Sequence, residues 1–473
     1  MLAIQKNKTN AFFAIISLPS TAMGFALSVQ ISALSWILTT QYHLDIHDVG
    51  LVWAAGPLAG IIGQVIIGLI SDRVWFWNGR RRPFILIGGV IAALMLLALP
   101  NIGVISSAMG LPGILGVAIA VALSLDLAIN ISFNPTRSII ADVTEPGPER
   151  TKGYTWMQTI SGSFGVLAYA VGAVFDNFVL IYAGAVLVLL FSLIPPLLIS
   201  EPREQQTPAE TSGATGSDDS FLAILVAIRP LWGFLAYDVY AMGRRLMGVE
   251  PQGYQAEILC GLITLALVVH ALLEKATSRD RRTMGLVGFR KVMAAHGFSW
   301  IGIQTTFVFL IAYLQQAFPD LSDIDVGRVG SASFLILNAV GAALPALILN
   351  PVAARIGPVK THTICLACMT AGYLGLYLLA DSQMMLYVLM GVVGIGWAAI
   401  VSLPFAIISE QVRAERMGLY MGLFNLSVVL PQLVVSLGVA LFVSRVADKD
   451  AIFAISAIAL AISTACWAFV RER

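Results

Sequence analysis

Charge is scarce in this chain. Asp, Glu, Lys and Arg make up 12% of its 473 residues, while 58% are hydrophobic. A typical soluble domain carries about 25% charged residues, and a soluble fold could not hide this much apolar sequence in one core. A soluble globular protein is therefore excluded. The net charge is only +1, so nothing points to a nucleic-acid partner. Cysteine is also sparse. Cys260, Cys365, Cys368 and Cys466 all fall inside apolar runs, and Cys365-x-x-Cys368 has no second Cys or His pair at zinc spacing. They read as buried thiols, and no metal site is expected. The first apolar run, 11–38, is too long for the h-region of a signal peptide and lacks a small-residue cleavage site, so no cleavable leader is expected. No Ser/His/Asp constellation or metal-ligand set falls at one depth, which argues against an enzyme.

Long apolar runs are what the chain has instead. Between turn signals they cover 11–38, 48–71, 84–101, 111–139, 153–175 and 178–199, then 292–317, 328–350, 359–379, 384–408, 418–443 and 451–470. Each is long enough to span about 30 Å of hydrocarbon as a helix. The reading is an all-α polytopic membrane protein with an N-terminal half at 1–200, a central linker and insert at 201–290, and a C-terminal half at 291–473. The polar stretch from Glu201 to Ser220 is the natural linker. Apolar runs near 221–241 and 255–273 either cross the membrane twice or lie on its surface, because both flanks belong on one side. Basic residues gather at Lys6, Lys8, Arg73–Arg82, Arg150, Lys152, Lys275–Lys291, Arg355, Lys360, Arg413, Arg416 and the C-terminal end. By the positive-inside rule that side, with both termini, is cytoplasmic, and the expected location is the cell membrane.

The densest charge lies between the second and third spans: Ser71-Asp72-Arg73, five residues, then Gly79-Arg80-Arg81-Arg82-Pro83-Phe84-Ile85. With Gly68, this resembles the G-x-x-x-D-R…G-R-R loop of the major facilitator superfamily, whose fold has two six-helix halves holding substrate near the bilayer midplane. The longer form resembles the plant sucrose–proton symporters and their animal and bacterial relatives. Three further stretches carry that likeness: Trp53, Gly56-Pro57, Gly60 and Gln64; Asp126, Asn130, Pro135, Arg137 and Asp142; and Gly418, Gly422, Asn425-Leu426, Pro431-Gln432 and Ser436. It covers both halves and leaves out 221–290. It implies a proton-coupled symporter importing a disaccharide, a glucoside of the sucrose or maltose type. The alternatives are a sodium-coupled carrier, an exporter of the same fold, or a non-transporting membrane sugar sensor. No cofactor is expected beyond the coupling proton, and the expected partners are a small sugar and the lipid bilayer around a monomer.

Asp126 is the sharpest single residue, the one acid at mid-depth in the twelve core spans. A carboxylate there costs on the order of 3 kcal/mol unless it faces a polar cavity or takes up a proton. Proton coupling is one reading, and a static interhelical ion pair is the other. Asn130 and Arg137 share its helical face, Arg137 about 16 Å away along a straight helix. Pro135 could shorten that reach. Arg137 is either a sugar-hydroxyl donor near the site or an anchor at the cytoplasmic end. A neutral sugar needs many hydrogen bonds and an aromatic face. Gln30, Gln64, Gln158, Trp300, Gln304, Asn338, Asn425 and Gln432 join Asp126, Asn130 and Arg137 as candidate contacts, with Ser35 and Trp36 nearby. Each amide could instead bond helix to helix. Trp397 and Tyr169 read as packing, His296 as interfacial and Asp142 as structural. The superfamily likeness makes Asp72, Arg73, Gly79, Arg80 and Arg81 a conformational gate rather than a sugar site.

Overall fold

A computed structural model describes residues 8–61, 74–145, 147–201, 221–249, 253–276, 281–412 and 417–471. The described residues fold almost wholly into helices. The first six are α1 Asn10–Thr40, α2 Ile46–Ile61, α3 Arg82–Ala108, α4 Leu115–Val143, α5 Pro148–Val174 and α6 Asn177–Leu198. The insert supplies α7 Phe221–Ala227, α8 Trp232–Leu246 and α9 Gln255–Leu273. Then come α10 Arg281–Ala317, α11 Asp323–Ile356 and α12 Pro358–Leu379. The last three are α13 Gln383–Gln411, α14 Met417–Val434 and α15 Ala451–Trp467. A π turn at Val435–Val439 carries α14 on to Arg445. Among the described residues, eleven helices are long and apolar enough to cross a membrane, with α2 and α15 shorter but apolar.

Turn residues start these helices by satisfying first-turn N–H groups. Thr9 accepts from Phe12, Asp45 from Asp48 and Asp176 from Val179, while Ser382 caps α13 through Met385. Apolar composition cannot itself drive helices together in hydrocarbon, so close packing and hydroxyl bonds must do it. On α3, Gly88 and Gly89 leave room for Ser132 of α4 and Ser192 of α6, whose side chains would collide with any Cβ there. Between α10 and α15, Ser299 meets Ser463 at 2.7 Å and Thr306 meets Ser456 at 3.2 Å. Ser456 and Ser463 also donate to the carbonyls of Gly302 and Ala295.

Two compact units result. Unit 1 is Met1–Glu210 with Phe318–Leu335, and unit 2 is Thr211–Ala317 with Ile336–Arg473. The start of α11 thus belongs to unit 1. There Ser331 and Ser32 lie 2.6 Å apart, both donate to Asn177 Oδ1, and the Trp36 indole donates to the Asp323 carbonyl at 2.6 Å. A buried cluster of Phe12, Phe13, Ile16, Ile85, Ile139, Ile140, Met157 and Ile199 ties α1, α3, α4, α5 and the end of α6 together.

In unit 2 the insert docks on α10 and α14. Glu274 accepts from Arg229 at 2.6 Å and from Arg290 at 2.5 Å, joining the start and end of the insert to α10. Tyr237 of α8 lies where a side chain at Gly438 of the α14 π turn would have to go. Such π turns are frequent at functional positions in helices; unit 2 has another at Pro345–Leu349 in α11.

Candidate functional site

In unit 1, α4 positions Asp126 as the twelfth of its 29 residues, deep between both ends. The side chain is 6% exposed. Gln30 Nε2 of α1 donates to Asp126 Oδ2 at 2.9 Å. Gly56 of α2 has no side chain at the point where a Cβ would stand 3.3 Å from the same oxygen. Among the described residues no Lys, Arg or His forms a salt bridge with Asp126, and the side-chain partner they give it is the neutral Gln30. Asn130 lies one turn on, with Nδ2 donating to the Asp126 carbonyl at 2.8 Å.

Arg137 does not join this group. Although α4 stays helical through Pro135 and keeps the two residues on one face, the guanidinium lies over the Phe133 ring, 4.3 Å from its centroid. Gln158 sits on α5 with its side chain exposed, in line with the exposed Thr155 and Thr159. Trp36 and Ser35 are occupied between helices, Ser35 accepting the Trp53 indole N–H at 2.8 Å. Tyr169 is buried against Phe334. Gln64, Asp72 and Arg73 lie outside the described residues.

The hinge is held shut on itself. Trp77 and Asn78 both have positive φ, 48° and 58°, and close a two-residue turn in which Phe76 and Gly79 exchange backbone hydrogen bonds. Glu201, the first residue of the expected linker, folds back instead. Its carboxylate accepts the backbone N–H of Arg80 at 2.7 Å, of Arg81 at 2.9 Å and of Arg82 at 2.7 Å. These are N–H groups at the start of α3, where partners are lacking and the helix dipole favours an anion. A Cβ at Gly79 would stand 2.6 Å from Glu201 Oε1, so glycine is required by the approach. The side chains of Arg80 and Arg81 reach Asp142 at the end of α4, at 2.9 and 3.2 Å.

Unit 2 assembles a different group. His296, Trp300 and Gln304 recur every fourth residue along α10 and so share a stripe. His296 is 2% exposed, buried within unit 2 about 22 Å along α10 from Arg281. The Trp300 indole donates to His296 Nε2 at 2.9 Å. Trp397 of α13 meets Trp300 edge to face at 6.1 Å and donates to Asn338 Oδ1 of α11 at 3.1 Å. Gln432 of α14 donates to Gln304 at 3.1 Å. Asn425, seven residues earlier on the same face of α14, is partly exposed.

Comparison with known proteins places this geometry. A family model described as Major Facilitator Superfamily matches residues 17–430 and again 292–473. The chain is 25% identical to sucrose transport protein SUC4 of Arabidopsis thaliana over 82% of its own length and 76% of that protein. It is 32% identical to sucrose transport protein SUT2 of Oryza sativa subsp. indica over 38% of each. A general alpha-glucoside permease of Schizosaccharomyces pombe is 29% identical over 33% of this chain and 31% of its own. Among solved structures, the nucleoside transporter NupG superposes with a TM-score of 0.65 over 97% of this chain and 100% of its own at 13% identity. The POT family transporter PepTSo gives 0.66 over 98% of each at 12% identity. At such identities the structural likeness speaks to fold alone.

Proposed function

We propose that this chain, which belongs to the Major Facilitator Superfamily and is therefore a multi-pass membrane transporter rather than an enzyme, imports a disaccharide glucoside of the sucrose or maltose type together with a proton. The observation that carries the reading is Asp126: buried at mid-helix, bonded to the neutral Gln30, and without a basic partner among the described residues. A carboxylate so placed is held at lowest cost with a proton on it, and gives that proton up when water or a cation reaches it. Alternating exposure of Asp126 to the two sides then couples its proton to the sugar. The similarity to sucrose and alpha-glucoside carriers supports a sugar as the cargo. The excess of basic residues on one side supports cytoplasmic termini in the cell membrane.

The driving force is sufficient. One proton moving through about 100 mV supplies roughly 2.3 kcal/mol, and one pH unit adds about 1.4, enough for roughly 500-fold accumulation. Sodium coupling would call for several oxygen ligands around the ion. At Asp126 the described residues bring the amide of Gln30.

The test is uptake of labelled sucrose and maltose into proteoliposomes under an imposed proton or sodium gradient. Wild type is expected to accumulate sugar only with the proton gradient, and Asp126→Asn to equilibrate it without accumulation. Accumulation that follows sodium and ignores pH would overturn proton coupling. Normal accumulation by Asp126→Asn would remove that residue from the mechanism.

A further inference from the structure

The aromatic group of unit 2 is built in an unusual way. Both indole N–H groups are already used, that of Trp300 by His296 and that of Trp397 by Asn338. The two rings meet edge to face at 80°, so one covers part of a face of the other, and what remains to offer is the uncovered face area of two partly exposed indoles. The amides of Gln304 and Gln432 are bonded to each other beside them, and Asn425 shares a face of α14 with Gln432. A surface bearing this many amides does not face lipid, where unsatisfied polar groups are costly.

The supporting residues fix these rings. Phe307 stands edge-on to Trp397 at 5.4 Å. Gly341 of α11 makes room for the Trp397 ring, since a Cβ there would stand 2.6 Å from Cδ1. His296 packs tilted against Phe424, 4.7 Å between centroids and 31° between planes. Its Nδ1 is buried without a partner. A leucine or phenylalanine would pack this position without that penalty, so the imidazole is explained by the one bond it makes, as acceptor for Trp300.

We propose that Trp300 and Trp397 form a crossed stacking platform for the C–H face of a pyranose ring, and that His296 is the positioning residue that sets the Trp300 plane. The C–H bonds on one face of a glucosyl ring carry slight positive charge and suit the electron-rich face of an indole. The hydroxyls around the ring edge then meet the amides of Gln304, Gln432 and Asn425. The favoured substrate class is a glucoside with an unbroken C–H face, aryl glucosides included. This rests on the sugar-transport reading above.

Two measurements separate the claims: maltose counterflow in proteoliposomes, giving KM and Vmax without a proton gradient, and quenching of tryptophan fluorescence in detergent by p-nitrophenyl α-D-glucopyranoside, reversed by maltose. Trp300→Leu and His296→Phe are expected to raise KM about tenfold with Vmax within about twofold, and to weaken quenching in proportion. His296→Gln, which keeps an acceptor, is expected to bring KM back to within about threefold of wild type. An unchanged KM in Trp300→Leu overturns the platform while leaving sugar transport standing. So does a His296→Gln no better than His296→Phe for the positioning role. Maltose-reversible quenching without uptake would leave the platform and remove the transport reading. The absence of both quenching and uptake would overturn the two together.

Discussion

The two units carry polar groups of different kinds. Around Asp126, unit 1 gathers a carboxylate, an amide and a glycine, with no aromatic ring among the contacts named. Unit 2 gathers two indoles, an imidazole and amides, with no carboxylate among them. Charge in a membrane is tolerated where it does work on a proton or ion, whereas shape recognition of a neutral ring needs area and directed hydrogen bonds. On the reading proposed above, ion coupling belongs to one half of the chain and ring recognition to the other. It also makes the assignments separable by experiment.

The largest expected effect lies in unit 1. Asp126→Asn should reduce proton-driven accumulation from roughly 500-fold to none, while its counterflow KM for maltose stays within about threefold of wild type. A rise in KM as large as that of Trp300→Leu would break the division of labour. Next comes a charge of unit 1 whose role is holding the backbone. Glu201→Ala frees three N–H groups at the start of α3 and should lower stability by about 3 kcal/mol, seen as a drop in the thermal unfolding midpoint. Glu201→Gln should recover part of that drop. Neither should alter the proton dependence of whatever carrier remains folded, and a changed dependence would place Glu201 in the coupling path. The smallest effect belongs to Gly341→Ala. The added methyl pushes on Trp397 and should raise KM about threefold to fivefold with accumulation ratio unchanged. A lost proton dependence in this variant would tie the platform to the coupling site.

Asp126 was legible in the sequence because an acid inside an apolar helix has few excuses. Arg137 was legible only in part. Its face could be computed from 100° per residue, but a long side chain chooses its own direction, and this one turns to Phe133. His296 reads as interfacial from the basic stretch before it, which tells nothing of its burial against Phe424 or its bond from Trp300; the spacing of His296, Trp300 and Gln304 at every fourth residue was the available clue. Trp397 reads as packing and does pack against Trp300 and Phe307, but nothing local tells that its N–H is spoken for by Asn338 on another helix. Glu201 was invisible for the same reason. Its partners lie some 120 residues earlier, and a composition window sees only a polar linker.

That contact orders events in time as well as in space. Ribosomes deliver Arg80, Arg81 and Arg82 long before Glu201, so the N–H groups of the hinge are made without the carboxylate that later accepts them. They are closed only once the sixth helix has been made and its trailing residue returns to them. A chain stopped just short of residue 201 would hold six helices and an unlocked hinge. Closure of the hinge by this carboxylate therefore waits on the residue that follows the sixth-helix segment.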